Sequence, residues 1–155
     1  MNFTNNKSFC ALPWVHIASH TDGSTRLCCM SNRFVKDENG KNYNLGNQSI
    51  DTIFNSDDYK SIRKDMIDGK LIEGCETCYQ SEKYSNTSHR IRYNREYSHN
   101  ESFKNKVNQS LEDKNIDTTI EFFDLRFGNL CNLSCRYCYS EASSTYDKEI
   151  KNINE

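Results

Sequence analysis

The chain has 155 residues, and its 20 basic and 22 acidic residues give a formal net charge of -2. This balance excludes a strongly basic protein that binds nucleic acid or a membrane surface through charge. The hydrophobic fraction of 35% and the mean hydropathy of -0.90 indicate a small apolar core, and the length excludes a full (β/α) barrel, which needs roughly 250 residues.

The first predicted element is a β-hairpin. Residues 14–19 are apolar and β-prone, the Asp-Gly pair at 22–23 is a turn signal, and residues 25–29 supply the returning strand. Trp14 is expected to anchor this hairpin in the core. Residues 31–48 are rich in Asn, Gly and Lys and are predicted to be a loop.

Helices are predicted in the middle of the chain. A short helical turn is expected over 49–54, and a longer helix is expected between a capping Ser56 and a terminating Gly69. A polar helical stretch follows over 76–97. Residues 98–118 hold few apolar side chains and are predicted to be a linker or an exposed helix.

The strongest strand signal of the chain lies over residues 120–127. A cysteine-bearing loop follows it, and a helix is predicted over 141–150. Because this is a lone strand-loop-helix unit, we expect both edges of its strand to be unpaired.

No apolar run has the length of a signal peptide or a membrane span. The sequence therefore predicts a cytoplasmic protein with neither a membrane nor a nucleic acid as partner. Disulfides are rare in the reducing cytoplasm, so the eight cysteines are expected to bind metal or to carry out redox chemistry.

The last three cysteines form a CxxxCxxC motif at positions 131, 135 and 138. Three thiolates cannot close a four-coordinate site around one metal ion, and they cannot pair evenly as disulfides. They can hold three irons of a cubane cluster and leave the fourth iron free for another ligand. Zinc remains the alternative, because it also accepts thiolates.

The other five cysteines suffice for a closed site. Cys75 and Cys78 form a CxxC pair, and Cys10 with either Cys28 or Cys29 brings the number of thiolates to four. Adjacent residues of a strand point to opposite faces, so Cys28 and Cys29 are not expected to bind the same ion. Such a site would accept zinc or an iron-sulfur cluster.

The run from Leu125 to Cys138, LRFGNLCNLSCRYC, resembles the opening of the radical S-adenosylmethionine (radical SAM) enzymes. Their signature is CxxxCxΦC, with an aromatic residue before the last cysteine, here Tyr137. The resemblance implies that Cys131, Cys135 and Cys138 ligate three irons of a 4Fe-4S cluster, whose fourth iron SAM chelates. It also implies reductive cleavage of SAM to a 5′-deoxyadenosyl radical that abstracts hydrogen, with Tyr137 beside the adenine.

The remaining cysteines resemble those of the auxiliary-cluster modules called SPASM and twitch domains, in which cysteines flank a hairpin with an Asp-Gly turn. The residues that carry this resemblance are FCALPW at 9–14, RLCC at 26–29, IEGCETCY at 72–79, SHR at 88–90, and Asn94. The resemblance favours Cys28 over Cys29. It implies an auxiliary 4Fe-4S cluster held by Cys10, Cys28, Cys75 and Cys78.

Together the resemblances imply a mixed α+β and α/β fold. A small hairpin-plus-helices cluster-binding region would occupy residues 1–97, a linker 98–118, and the first βα unit of a partial (β/α)6 radical SAM barrel 119–155. The chain is then expected to be an N-terminal fragment of such an enzyme. Since the later SAM-binding strands are absent from the sequence, we expect productive SAM binding only in a complete protein.

The implied cofactors are two 4Fe-4S clusters and SAM, and the implied reductant is a flavodoxin or a ferredoxin. By analogy alone, the expected substrate is a peptide or a protein. The alternative function is a stand-alone iron-sulfur or zinc module for binding or electron transfer, without catalysis, because a four-cysteine zinc site would stabilise a small core equally well.

Several polar side chains are expected to be structural. His16 and His20, on or beside the hairpin, are predicted to be packing or surface residues. Arg90, Arg92 and Arg95 form a basic stripe at helical spacing, and a solvated face is the favoured interpretation.

Overall fold

The computed structural model describes residues 6–112 and 114–153. In this part of the chain, seven α-helices and a three-stranded sheet form a mixed α+β fold. The helices are α1 (Leu12–Val15), α2 (Ile50–Phe54), α3 (Asp57–Ile67), α4 (Glu76–Tyr84), α5 (His89–Tyr97), α6 (Glu101–Leu111) and α7 (Ser144–Ile153). The strands are β1 (His16–Ser19), β2 (Thr25–Arg26) and β3 (Phe122–Asp124), and a 3-10 turn spans Ser140–Ala142.

The predicted hairpin is formed by β1 and β2, with Ala18 opposite Arg26. The carboxylate of Asp22 accepts a hydrogen bond from the backbone N–H of Ser24 at 2.8 Å. Gly23 follows with φ of 84°, a left-handed conformation that glycine adopts without steric cost. The Asp-Gly signal therefore marked the turn correctly.

Both hairpin strands are shorter than predicted. Residues 12–15 form α1, because Pro13 favours the first turn of a helix, so β1 begins at His16. The returning strand ends at Arg26 instead of residue 29. Residues of the predicted loop make isolated β-bridges, such as Phe34 with Arg26 and Lys36 with Asn42.

The strand after residue 119 does not stand alone. β3 lies parallel to β1, with His16 opposite Phe122 and Ala18 opposite Asp124. The expectation that both edges would be unpaired is therefore wrong, and the strand order is β2-β1-β3. β1 is buried along its whole length, as a central strand requires.

The predicted helices α2 and α3 are present. The hydroxyl of Ser56 accepts from the backbone N–H of Tyr59, and Gly69 follows the helix with φ of 79°. The single helical stretch predicted over 76–97 is divided into α4 and α5. It breaks because Ser88 is extended and caps α5 through the N–H of Ile91.

The segment 98–118 is packed, which differs from the expected linker or exposed helix. It contains α6, whose Phe103 and Val107 are buried in the main core. The rings of Phe103 and the fully buried Trp14 meet edge to face, with centroids 6.3 Å apart. Trp14 is thus a core anchor as predicted.

The helix expected over 141–150 is α7, which begins at Ser144 after the 3-10 turn. The division of the chain at residues 97 and 119 stays a prediction. Residues 1–5, 113, 154 and 155 fall within the three predicted regions but lie outside the described residues. None of the described helices has the length and apolar character needed to cross a membrane.

Candidate metal centres

One cavity brings together the four cysteines predicted for the closed site. It is lined by Cys10, Cys28, Cys75 and Cys78, and its volume is about 440 Å³ including its open mouth. Apolar side chains form much of the remaining wall, among them Leu12, Pro13, Leu27, Met30 and Met66. All four thiols are free. The fold thus collects three separate sequence segments around a common space.

Cys29 lies elsewhere. It does not line the cavity, and burial together with the carboxylate of Asp124, at the end of β3, raises the pKa of its thiol. The strand alternation from which we expected Cys28 and Cys29 to point apart does not apply, because β2 ends at Arg26; of the two, only Cys28 lines the cavity. The assignment of Cys28 as a metal ligand stays a prediction.

Helix α5 holds the backbone on both sides of Cys10. The side-chain amide of Asn94 donates to the carbonyl of Phe9 at 2.8 Å, and its oxygen accepts from the N–H of Ala11 at 2.8 Å. Nη1 of Arg90 donates to the same Phe9 carbonyl at 2.9 Å. These bonds fix the path of the Cys10 segment past the cavity.

The expectation that Arg90, Arg92 and Arg95 form a solvated face is wrong for Arg90. Arg92 and Arg95 are exposed, but Arg90 is only 7% exposed and lines the cavity. Its guanidinium donates to both carboxylate oxygens of Glu82. Burial raises the pKa of Glu82, but hydrogen bonds from Arg90 and Ser88 outweigh that effect and lower it. The ion pair anchors α4 to α5 beside the cavity.

The loop after Cys28 is joined to the CxxC segment. The N–H of Ser31 donates to the carbonyl of Cys28 at 3.1 Å, and the N–H of Asn32 donates to the carbonyl of Gly74 at 2.9 Å. Gly74 has φ of 84°, and a Cβ added to it would lie 2.5 Å from the backbone nitrogen of Arg33. Only glycine therefore allows the two loops to approach this closely.

A hydroxyl lies next to one of the sulfurs. Oγ of Ser31 is 3.8 Å from Sγ of Cys75 and accepts from the N–H of Arg33 at 3.0 Å. A thiolate only accepts hydrogen bonds, so the Ser31 hydroxyl donates once Cys75 is deprotonated. Burial raises the pKa of Cys75 to about 11, and the Ser31 bond opposes that rise.

The cavity disfavours free thiolates. Burial raises the pKa of Cys10 and Cys28, that of Cys28 to about 12, and neighbouring cysteines add to the effect. A bound metal centre would supply the positive charge that four thiolates need. Among the described residues, no three His, Cys, Asp or Glu side chains cluster tightly enough to hold a single metal ion. The four thiols are the donor type that an iron-sulfur cluster or zinc requires, but their present spacing suits no single zinc ion.

The CxxxCxxC loop forms a second, separate candidate. The N–H of Cys131 donates to Oγ of Ser144 at 3.3 Å, and the hydroxyl of Thr145 donates to the Cys131 carbonyl. The start of α7 thus holds the start of the loop. Cys135 is exposed, and Tyr137 is 98% exposed, so both are accessible from solvent.

Two buried polar side chains near the cavity were missed from the sequence. Arg63 and Tyr59 lie on α3, and both are almost completely buried. Tyr59 stands at the helical spacing of Ile62 and Met66, which indicates packing alone, and Arg63 carries no spacing signal. Their burial depends on where the tertiary structure places α3.

No curated protein and no solved structure matches the chain. Residues 10–79 match the family model of SPASM, described as an iron-sulfur cluster-binding domain. The matched span contains all four cysteines of the cavity and ends before the CxxxCxxC loop. Residues 10–79 are therefore similar to SPASM, an iron-sulfur cluster-binding domain.

Proposed function

We propose that the chain belongs to a radical SAM iron-sulfur protein with two cluster sites. Cys10, Cys28, Cys75 and Cys78 would hold an auxiliary 4Fe-4S cluster. The observation that carries this proposal is that these four thiols line one cavity inside the span that matches SPASM.

Cys131, Cys135 and Cys138 would hold the second 4Fe-4S cluster, and Tyr137 would lie against the adenine of SAM. Support for this site comes from the CxxxCxΦC resemblance and from the exposure of Tyr137, whose ring is free to stack on a planar base. With the cluster and SAM bound, the chemistry supplied is one-electron cleavage to methionine and a 5′-deoxyadenosyl radical, which abstracts hydrogen from a substrate.

The protein's own residues position and protect these sites. The N–H of Arg126 donates to Oγ of Ser19 at 3.0 Å, which fixes the chain between β3 and the cysteine loop. Ser144 and Thr145 then hold Cys131. At the auxiliary site, the apolar wall limits access of water, which favours a cluster over exposed thiolates.

The partners follow from the same proposal. A flavodoxin or a ferredoxin would supply the electron, in the cytoplasm, and the substrate would be a peptide or a protein. A near-neutral charge of -2 supports neither nucleic acid nor a membrane surface as partner.

Anaerobic reconstitution with iron and sulfide tests the two sites. We expect two 4Fe-4S clusters in the chain, of which Cys131→Ala removes one and Cys75→Ala removes the other. Cys29→Ala is the matched control and should retain both. Purified protein with stoichiometric zinc and no sulfide would contradict the proposal.

Addition of SAM tests whether this chain carries a SAM site by itself. Since productive SAM binding is expected only in a complete protein, the EPR spectrum of the cluster that survives in Cys75→Ala should stay the same when SAM is added. A change in that spectrum would show SAM binding at the CxxxCxxC loop and would contradict a module without catalysis.

A further inference from the structure

Arg63 is a buried cation without an acidic partner. It is 1% exposed, and its guanidinium carbon lies 4.4 Å from the ring centroid of Phe54 and 4.5 Å from that of Tyr59. Nε donates to the carbonyl of Pro13 at 2.8 Å, and Nη1 donates to the carbonyl of Phe54. Within residues 6–112 and 114–153, Nη2 has no hydrogen-bond partner and no carboxylate forms an ion pair with Arg63.

Burial of an unpaired charge is costly, because the protein interior does not replace the lost hydration. Burial lowers the pKa of Arg63 to about 10, so the side chain is still charged at neutral pH. The hydrogen bonds to two carbonyl oxygens and the contacts with two aromatic rings offset only part of this cost of burial. A group with negative charge nearby would complete the compensation.

Tyr59, whose ring contacts the guanidinium of Arg63, is a second buried group with an unpaired polar atom among the described residues. It is fully buried, and its hydroxyl has no hydrogen-bond partner among the described residues. Burial raises the pKa of Tyr59; Arg63 opposes the rise, and the thiols of Cys28 and Cys10 add to it. The charge of the guanidinium and those of two cavity cysteines thus all act on the pKa of the phenol.

The same cavity wall connects these groups. Pro13, whose carbonyl accepts from Arg63, lines the cavity together with Cys10 and Cys28. The positive charge of Arg63 is thus bonded directly to a residue of the wall of the cluster site.

We propose that Arg63 is the buried counter-charge of the auxiliary cluster and that Tyr59 donates its orphaned hydroxyl toward the sulfurs of that cluster. This inference rests on the proposed cluster at Cys10, Cys28 and the CxxC pair, and it does not depend on SAM chemistry. A 4Fe-4S cluster with four thiolates is anionic and becomes more so on reduction. A nearby cation and a hydrogen-bond donor therefore favour the reduced form and raise the reduction potential.

Redox titration monitored by EPR tests both positioning roles in the reconstituted chain. Arg63→Gln, which keeps hydrogen-bond donors but loses the charge, should lower the midpoint potential of the auxiliary cluster. Arg63→Lys should restore most of the potential. Tyr59→Phe, which keeps the ring and loses the hydroxyl, should also lower it.

The controls lie in the same molecule. The midpoint potential of the cluster at the CxxxCxxC loop should stay the same in every variant, and Arg95→Gln, an exposed arginine on α5, should change neither potential. A cluster whose potential is the same in wild type, Arg63→Gln and Tyr59→Phe overturns the inference and leaves the proposed cluster intact. Chain that binds no iron and sulfide at the cavity overturns both. If Arg63→Gln does not fold, Tyr59→Phe still tests the inference, since an unchanged potential of the auxiliary cluster in that variant contradicts it.

Discussion

The indole Nε1 of Trp14 donates a hydrogen bond to the hydroxyl of Ser110 at 2.7 Å, across 96 positions of the chain. Trp14 lies in α1, four residues after Cys10, and Ser110 lies near the end of α6. The bond therefore ties the helix of the 98–118 segment to the core on which the cluster cysteines are mounted.

Ser110→Ala should reduce the free energy of unfolding by about 1–3 kcal/mol, because the buried indole N–H loses its partner. Urea denaturation followed by tryptophan fluorescence measures the change. Ser102→Ala, at an exposed position of the same helix, should have little effect. Equal stability of the two variants would show that the Trp14 bond contributes nothing.

Asn94→Asp should weaken the auxiliary site selectively. The aspartate would still accept from the N–H of Ala11, but it could not donate to the carbonyl of Phe9. We expect faster loss of the auxiliary cluster to an iron chelator, measured by the decay of visible absorbance. Asn86→Asp, at an exposed position, is the matched control. The same decay rate in both variants would contradict a role for Asn94 in holding the Cys10 segment.

Gly74→Ala should be more destabilising than Gly40→Ala. Both glycines have positive φ, 84° and 76°, so both substitutions carry a backbone strain of about 1–2 kcal/mol. Only at Gly74 would the new Cβ meet a neighbour, the backbone nitrogen of Arg33 at 2.5 Å; at Gly40 nothing lies within 4 Å. Chemical denaturation and iron content of the two variants compare the contact directly. We expect reduced iron content only in Gly74→Ala.

His16 should make the fold less stable in acid. Its ring is fully buried and stacks on Phe122 at 4.7 Å, and Nδ1 lies 3.3 Å from the carbonyl of Leu27. Burial lowers its pKa from 6.5 to about 4, although Leu27 and Asp124 oppose the shift. Between these pH values the unfolded chain takes up a proton that the folded chain does not. The free energy of unfolding should therefore fall as the pH drops from 6.5 to 4, by up to about 3 kcal/mol from this residue.

Urea unfolding between pH 7 and pH 4 measures this dependence. His16→Phe should lack the His16 component while keeping an aromatic ring against Phe122. His99→Asn, at an exposed position, should follow the wild-type curve. If the free energy of unfolding of His16→Phe depends on pH as that of the wild type does, His16 is not the group responsible for the loss of stability in acid.

Local signals predicted the elements that local hydrogen bonds define. Ser56 and Gly69 delimit α3 because a cap and a left-handed residue act within one turn of a helix. The packing of α6 was missed although Phe103 and Val107 stand four residues apart, which puts them on one helix face. Two apolar residues in a polar segment gave too weak a signal.

The sequence pattern did not predict contacts between residues that are distant along the chain. Pairing of β1 with β3 joins residues more than 100 positions apart, and no local feature of either strand specifies that partner. The choice between Cys28 and Cys29 likewise depends on how the chain turns after leaving β2 at Arg26. The SPASM resemblance favoured Cys28 over Cys29 as the ligand, and Cys28 is the one that lines the cavity. The burial of Arg63 was not indicated by any sequence signal.

The central position of β1 has a consequence for the two cysteine-bearing loops. Cys28 is the second residue after the end of β2, and Cys131 is the seventh residue after the end of β3. Neighbouring strands lie about 4.8 Å apart, so β2 and β3, on either side of β1, are separated by about 10 Å. The starting points of the two loops are therefore set by the width of a hydrogen-bonded sheet. A sliding of β3 along β1 by one residue would reverse which side chains of β3 face the core, so the register of that pair also fixes the direction in which the CxxxCxxC loop leaves the sheet.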